Sequence, residues 1–330
     1  MLRRLTFRFG NDTMHTRLVN VMNINEEKIL MSEAATLYYE KKLTQQEIAA
    51  LMSLSRQTVS RLLSDAVKEN IVEIKVHNPK KDCDTLQSQI CEEFGIDTCV
   101  VCGVSNKNDA LRRLMTVKAA VEYIVPILKK GGQNIALSWG RTVQEFIEQL
   151  PDINAGDNVI FPLFGATDNE NLYFSPNELA RCMADKIGAS VKYAWFPYMA
   201  DSNEDCKLLK TLSYYKKMQA LWRSADITIV GIGNTDILGI FGKTFGYSEK
   251  HTQVIGDVAT HFFNEKGEFV NLYQNTLCAS ADNIKSSKRT IAIACGDAKV
   301  QAIGGALRTK LIDTLIVDEY TAKKIIEQNT

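Results

Sequence analysis

From residue 83 onward, short apolar runs alternate with amphipathic stretches, and few architectures accommodate that alternation. The runs are Cys99–Val104, Asn134–Ser138, Val159–Leu163, Val191–Phe196, Ile227–Val230, Thr290–Ala294 and Thr314–Val317. Each is short and nearly continuous in apolar residues, as strands buried on both faces are. Between them lie stretches of helical spacing at about 110–129, 142–149, 177–187, 205–223, 299–309 and 321–327. A further helix runs from Asp84 to Phe94 and stops at Gly95. Strands that alternate with helices predict an α/β fold with a mostly parallel sheet, covered on both faces. Such sheets take ligands beyond the carboxyl ends of their strands.

The loops at those strand ends are rich in glycine and small polar residues. They are Ser138-Trp139-Gly140-Arg141-Thr142, Gly165-Ala166-Thr167, Gly231-Ile232-Gly233-Asn234-Thr235-Asp236 and Cys295-Gly296-Asp297-Ala298-Lys299. Glycine lets a phosphate approach the backbone, and the N–H groups of a helix start hold an anion. Arg141 and Lys299 add positive charge, and Thr142 adds a hydroxyl. One such loop says little, because tight strand–helix turns need glycine anyway. Four in one sheet, two of them with basic residues, point to a small phosphorylated, polyhydroxylated ligand. Asp257 either accepts from ligand hydroxyls or caps a local turn. His261 lies among aromatic residues and reads as structural. Asn264 to Gly267 read as a hairpin turn. The aromatic run Tyr193 to Tyr198 either packs in the core or walls a pocket, and Tyr214, Tyr215, Met218 and Trp222, at helical spacing, read as core or interface.

Ahead of this region, TQQEIAALMSLSRQTVSRLL (44–63) reads as two short helices joined by a tight turn. Thr44 and Glu47 form a capping box. Ile48, Ala49 and Leu51 give the first helix an apolar face, and Ser55 caps the second. Val59, Leu62 and Leu63 supply its core stripe. Ser53 occupies the turn, where many such motifs have glycine. This is the helix-turn-helix that places a helix in the DNA major groove. The DNA-facing set is Thr44, Gln45, Ser55, Arg56, Gln57, Thr58, Ser60 and Arg61, side-chain types that bond phosphates and base edges. An earlier helix over 26–41 packs on it through Ile29, Leu30, Ala34, Leu37 and Tyr38. Asn70 stops the recognition helix. Val72, Ile74 and Val76 then alternate with Glu73 and Lys75, which predicts a strand over 71–76 and hence a wing.

The expected organisation is an N-terminal extension (1–25), a winged helix-turn-helix (26–77), a linker (78–83) and an effector-binding and oligomerisation domain (84–330). Net charge is zero, with 39 basic and 39 acidic residues, but residues 1–80 carry 12 Lys/Arg against 9 Asp/Glu. That local surplus suits a small DNA-binding unit used in pairs and not a non-specific nucleic-acid coater. The eight cysteines show no framework, and Cys99-x-x-Cys102 lacks a second pair at zinc spacing. Neither a metal nor a cofactor is expected. Dispersed thiols suit a reducing, cytoplasmic setting. The sequence shows no apolar stretch of the roughly 20 residues that span a bilayer and no signal-peptide pattern.

The order of winged helix, linker and motifs resembles the SorC family of bacterial sugar-binding transcriptional regulators. The motifs are L-S-W-G-R-T (137–142), G-I-G (231–233), G-D-x-x-x-x-F-F (256–263), C-G-D-x-K-x-x-A-I (295–303) and L-I-V-D-E-Y-T-A (315–322). The likeness covers about residues 26–328. It departs from the family's small-Gly-Gly run at Cys295-Gly296-Asp297 but keeps Lys299. The resemblance implies an effector domain related in fold to sugar-phosphate isomerases and deaminases. It also implies a homodimer or homotetramer, operator DNA as partner, and a phosphorylated sugar or polyol as effector. By motif it places the effector on Gly140, Arg141, Thr142, Gly165, Asp257 and Lys299. The alternative is a sugar-phosphate isomerase or deaminase-type enzyme. Gly231-Ile232-Gly233 with Asp236 resembles the deaminases' G-x-G-x-D-G-H, yet Ile237, Leu238 and Gly239 follow and no histidine stands there, which argues against turnover.

Overall fold

The computed structural model describes residues 26–74, 83–104, 108–167, 175–235 and 253–329. Two compact units emerge, one up to Pro79 and one from Lys80.

In the first unit, α1 (26–35) runs on into a π-helical turn, Thr36–Glu40. Helices α2 (Gln45–Leu51) and α3 (Arg56–Lys68) follow. The caps are those the sequence predicts. The Glu47 N–H donates to Thr44 Oγ1 at 3.3 Å, and the Thr44 N–H donates to Glu47 Oε2 at 2.8 Å. The Thr58 N–H donates to Ser55 Oγ at 3.1 Å. Ser53 takes the left-handed conformation (φ +54°) that glycine adopts without penalty. The core joins Met31, Ala34 and Ala35 to Ile48, Ala49, Val59, Leu62, Leu63 and Ala66. Here α1 departs from expectation. Ile29, Leu30 and Tyr38 lie outside, because Met31, Ala34 and Ala35 form the inward stripe; Leu51, at the last turn of α2, is also exposed. No strand forms over 71–74. Instead the N–H groups of Ile71 and Val72 both return to the Ala66 carbonyl, at 2.9 and 3.0 Å, after Asn70 ends α3 in the left-handed region. The rest of the predicted wing strand, Lys75 and Val76, lies outside the described residues.

The second unit begins with α4 (Asp84–Phe94), β1 (Thr98–Cys102), α5 (Asp109–Leu128), β2 (Asn134–Leu137), α6 (Arg141–Gln149), β3 (Val159–Pro162), α7 (Pro176–Ile187) and β4 (Ser190–Val191). Then come α8 (Asn203–Thr211), α9 (Ser213–Arg223), β5 (Ile227–Asn234), β6 (Gly256–Val258), β7 (His261–Phe263) and α10 (Ala281–Lys285). Last are β8 (Arg289–Ile293), α11 (Val300–Arg308), β9 (Thr314–Asp318) and α12 (Glu319–Asn329). The sheet runs β1-β9-β8-β5-β2-β3-β4, parallel throughout. All five residues of β9 are buried. Neighbouring side chains in a strand face opposite ways, so both faces of the sheet are covered.

Two long-range features have no counterpart in the sequence pattern. Strand β5 outruns its neighbours, and its overhang Ile232–Asn234 pairs antiparallel with β6, which pairs with β7. The run Val191–Phe196 is not a strand beyond Val191. There the chain leaves the sheet edge, and the Ala166 N–H bonds the Phe196 carbonyl at 2.7 Å. The helix predicted over 205–223 breaks at Leu212, whose backbone is extended (ψ 147°).

Candidate functional site

A cavity of about 330 Å³ opens at the carboxyl ends of β2, β5 and β8. The chain winds outward in opposite directions from the β2–β5 junction, and crevices at such junctions take ligands in open α/β sheets.

Two loops of matching shape face this cavity. Gly140, the third residue after β2, has φ 121° and ψ 159°; Gly296, the third after β8, has φ 104° and ψ 148°. Side-chain-bearing residues rarely reach that region. A Cβ at either glycine would meet no atom within 4 Å, so backbone conformation and not crowding calls for glycine. After Gly140, α6 starts without a side-chain cap. Its first N–H groups, with the positive end of the helix dipole behind them, border the cavity together with Arg141 and the buried Thr142. Ser138 joins the β2 loop to β5 by accepting from the Gly231 N–H at 3.3 Å.

Lys299 lies on the opposite wall after a single 3₁₀ turn, Asp297–Lys299. Its Nζ donates to the Ile232 carbonyl at 2.7 Å. Burial lowers its pKa against the pull of nearby Cys295 and Asp257. Asp257, on β6, is only 3% exposed. Burial raises its carboxyl to about 6, although the Thr260 N–H and the Lys299 charge work against that rise. Oδ2 accepts from the Thr260 N–H at 3.0 Å, across a tight turn in which Ala259 and Thr260 both have positive φ. Oδ1 is buried with no hydrogen-bond partner among the described residues and belongs to a residue on the cavity wall. A buried acceptor left unmade is costly, and a ligand hydroxyl would satisfy it.

Five of the six predicted effector residues therefore meet at one cavity: Gly140, Arg141, Thr142, Asp257 and Lys299. Gly165 does not line it. A Cβ there would fall 2.3 Å from the Pro197 carbonyl oxygen, so this glycine serves the close approach of two chain segments. Gly231, Ile232, Gly233 and Asn234 line the cavity, whereas Asp236 lies outside the described residues. Asp109 and Arg113 also line it, and sequence reasoning misses both. They stand in the first turns of α5, another strand-to-helix junction, with Gly103 directly after its strand. Arg113 is held by Glu145 on α6 through both carboxylate oxygens, at 3.0 and 2.9 Å.

His261 is structural, as its sequence context predicts, with its Nε2 bonded to the Ala279 carbonyl at 2.9 Å. None of the eight cysteines forms a disulfide. Burial pushes the Cys99 thiol far up and that of Cys102 to about 11, which disfavours the thiolates needed for reactivity or metal binding. Among the described residues no helix is long and apolar enough to cross a membrane.

On the first unit, Arg56, Gln57, Ser60 and Arg61 are exposed along α3. Ser55 and Thr58 share a hydrogen bond of 2.8 Å at the cap. The Thr44 hydroxyl is engaged with Glu47 and Gln45 is half-buried, so these four are tied more closely to local structure than the α3 set.

Residues 78–327 match the family described as "Putative sugar-binding domain", and residues 33–69 match "Sigma-70, region 4". The chain is 28% identical to the sorbitol operon regulator of Klebsiella pneumoniae over 319 residues, covering 93% of this chain and 100% of that protein. It is 25% identical to the deoxyribonucleoside regulator of Bacillus subtilis (strain 168), over 91% of this chain and 98% of the other. The crystal structure of the full-length sorbitol operon regulator SorC from Klebsiella pneumoniae superposes with a TM-score of 0.68 at 25% identity. That match covers 91% of this chain and 99% of that one.

Proposed function

The chain belongs to the SorC family of sugar-binding transcriptional regulators, and from that premise we propose that it binds operator DNA through α3 and a phosphorylated sugar or polyol in the β2–β5–β8 cavity. One observation carries the effector half. A single cavity joins an uncapped helix start and the cations Arg141 and Lys299, suited to a phosphate, with a buried carboxylate oxygen that has no donor among the described residues, suited to a hydroxyl. The residues assigned to the ligand are Gly140, Arg141, Thr142, Asp257 and Lys299. For DNA, Arg56, Gln57, Ser60 and Arg61 reach bases and phosphates, while Thr44, Gln45, Ser55 and Thr58 fix the helix-turn-helix and add phosphate contacts from its helix starts.

The protein works in the cytoplasm as a homodimer or homotetramer, with paired recognition helices about 34 Å apart, one DNA turn, or a multiple of it. Effector binding shifts operator affinity by a coupling of roughly 1–3 kcal/mol. The site senses its ligand and does not turn it over, in line with the regulator names of its relatives.

A thermal-shift screen against phosphorylated sugars and polyols, with their unphosphorylated parents alongside, tests the reading. A phosphorylated compound should raise the melting temperature of the parent protein. The gain should be lost in Lys299→Ala. A panel in which only unphosphorylated compounds stabilise, equally in parent and variant, would refute the phosphate assignment.

A further inference from the structure

We infer that Arg112 is a positioning residue for the effector cavity, one that holds the Gly296–Lys299 turn in its ligand-ready shape by clamping Asp297. The inference rests on the cavity reading above, but the clamp can be tested separately from it.

Arg112 lies on α5 with its side chain fully buried. Its Nη2 donates to Asp297 Oδ1 at 3.0 Å and also to Asp109, which lines the cavity. Nη1 stands 3.7 Å from Oδ1 of Asp318, itself fully buried at the end of β9. The guanidinium lies over the Tyr320 ring, 4.5 Å from its centroid. From α12, Lys324 reaches Asp297 Oδ2 at 3.1 Å.

Asp318 also supports the neighbouring residue of the turn. It accepts from the Thr321 N–H at 3.0 Å and from the Thr321 hydroxyl at 2.5 Å. Thr321 Oγ1 in turn accepts from the Gly296 N–H at 2.9 Å. The two residues that open the turn are thus held side by side, Gly296 through Thr321 and Asp297 through Arg112. Lys299 closes the turn, its N–H bonded to the Gly296 carbonyl at 3.0 Å.

This is more than a stabilising ion pair. A buried cation adds stability only when its donors are satisfied, and a hydrophobic replacement often does as well. Arg112 is fully buried, yet Nε and Nη1 have no hydrogen-bond acceptor among the described residues. Its hydrogen bonds go to Asp109, which lines the cavity, and to Asp297, which stands between the lining residues Gly296 and Ala298. The arrangement spends a buried charge on the shape of one loop. Without the clamp, Asp297 keeps Lys324 and Gly296 keeps Thr321, and the turn that presents Lys299 is held less firmly.

Asp297→Asn is the primary test, because Asp297 is 45% exposed and its loss leaves buried Arg112 still paired with Asp109 and Asp318. Arg112→Lys and the double variant complete a cycle. Amide hydrogen exchange on the full chain without ligand reads the turn directly. Asp297→Asn should speed exchange over 295–300 by about tenfold, with β8 and β9 unchanged, and the double variant should be no faster than Asp297→Asn alone. Calorimetry with inorganic phosphate should show about tenfold weaker binding in Asp297→Asn. Unchanged exchange over 295–300, or a lower melting temperature with exchange of the turn and phosphate affinity both kept, overturns the clamp. A parent that binds no phosphate removes the cavity reading instead, and the exchange cycle still decides the clamp.

Discussion

Replacing Asp257 by Asn should make the protein more stable at neutral pH while weakening the effector site. Burial raises the Asp257 carboxyl from 3.8 to about 6, against opposition from the Thr260 N–H and Lys299. A tenfold change in proton affinity is worth about 1.4 kcal/mol, so ionised Asp257 costs the folded state on the order of 3 kcal/mol. Because the folded value is the higher one, the neutral acid stabilises the fold. That contribution is complete below the unfolded value of 3.8, fades as pH rises towards about 6, and is absent above it. An Asn side chain keeps a carbonyl for the Thr260 N–H and carries no charge to desolvate. Asp257→Asn should therefore exceed the parent by about 2–3 kcal/mol near pH 7.5, with the gap closing by about pH 4. Urea unfolding followed by circular dichroism at several pH values measures this. The ligand that stabilises the parent in the thermal-shift screen should bind the variant roughly 10- to 100-fold more weakly, since a hydrogen bond to a charged group is worth about 1.5–3 kcal/mol. A parent more stable than the variant at pH 7.5, or a gap that does not change with pH, would refute the reasoning.

Gly140→Ala should cost about 1–3 kcal/mol through backbone strain alone, because nothing crowds the added methyl, and should weaken the same ligand; a melting curve and titration equal to the parent's would reject that. Ser53→Gly should raise the stability of the helix-turn-helix by roughly 0.5–1 kcal/mol, the left-handed penalty less the added unfolded-state entropy. Chemical denaturation of the parent and variant checks this, and no gain would show that Ser53 is unstrained. Arg61→Ala should weaken operator binding and flatten its salt dependence while leaving effector affinity unchanged, measured by fluorescence anisotropy across a salt series. Unaltered DNA affinity removes Arg61 from the interface.

Local chemistry is legible in the sequence. The capping box at Thr44 and Glu47, the Ser55 cap and the Val59–Leu62–Leu63 stripe depend on residues within one or two turns, and the structure shows each. The parallel sheet is legible because apolar runs of strand length alternate with helices. What escapes depends on distant partners. Strands β6 and β7 are three residues each and exist because β5 outruns its neighbours, which no local pattern announces. Asp109 and Arg113 reach the cavity through the sheet order, since β1 pairs with β9 and delivers the start of α5 beside the β8 loop. Gly165 reads as a ligand loop because crowding by Pro197 and a phosphate cradle leave the same trace in one sequence, a glycine after a strand. Ile29 and Leu30 read as inward because the heptad-like spacing of α1 admits two faces, and only packing chooses Met31, Ala34 and Ala35.

Trp139 lines the cavity, its indole stacked 4.6 Å from Phe164, centroid to centroid. The other two tryptophans differ from it. Trp222 is sealed in the core with its Nε1 on the Pro162 carbonyl, and Trp195 is 68% exposed. Solvent quenchers reach Trp195 and leave Trp222 alone, so a change in the remaining emission on filling the proposed effector cavity would come from Trp139. That emission would serve as an optical gauge of the proposed site, by which candidate ligands can be ranked without any label.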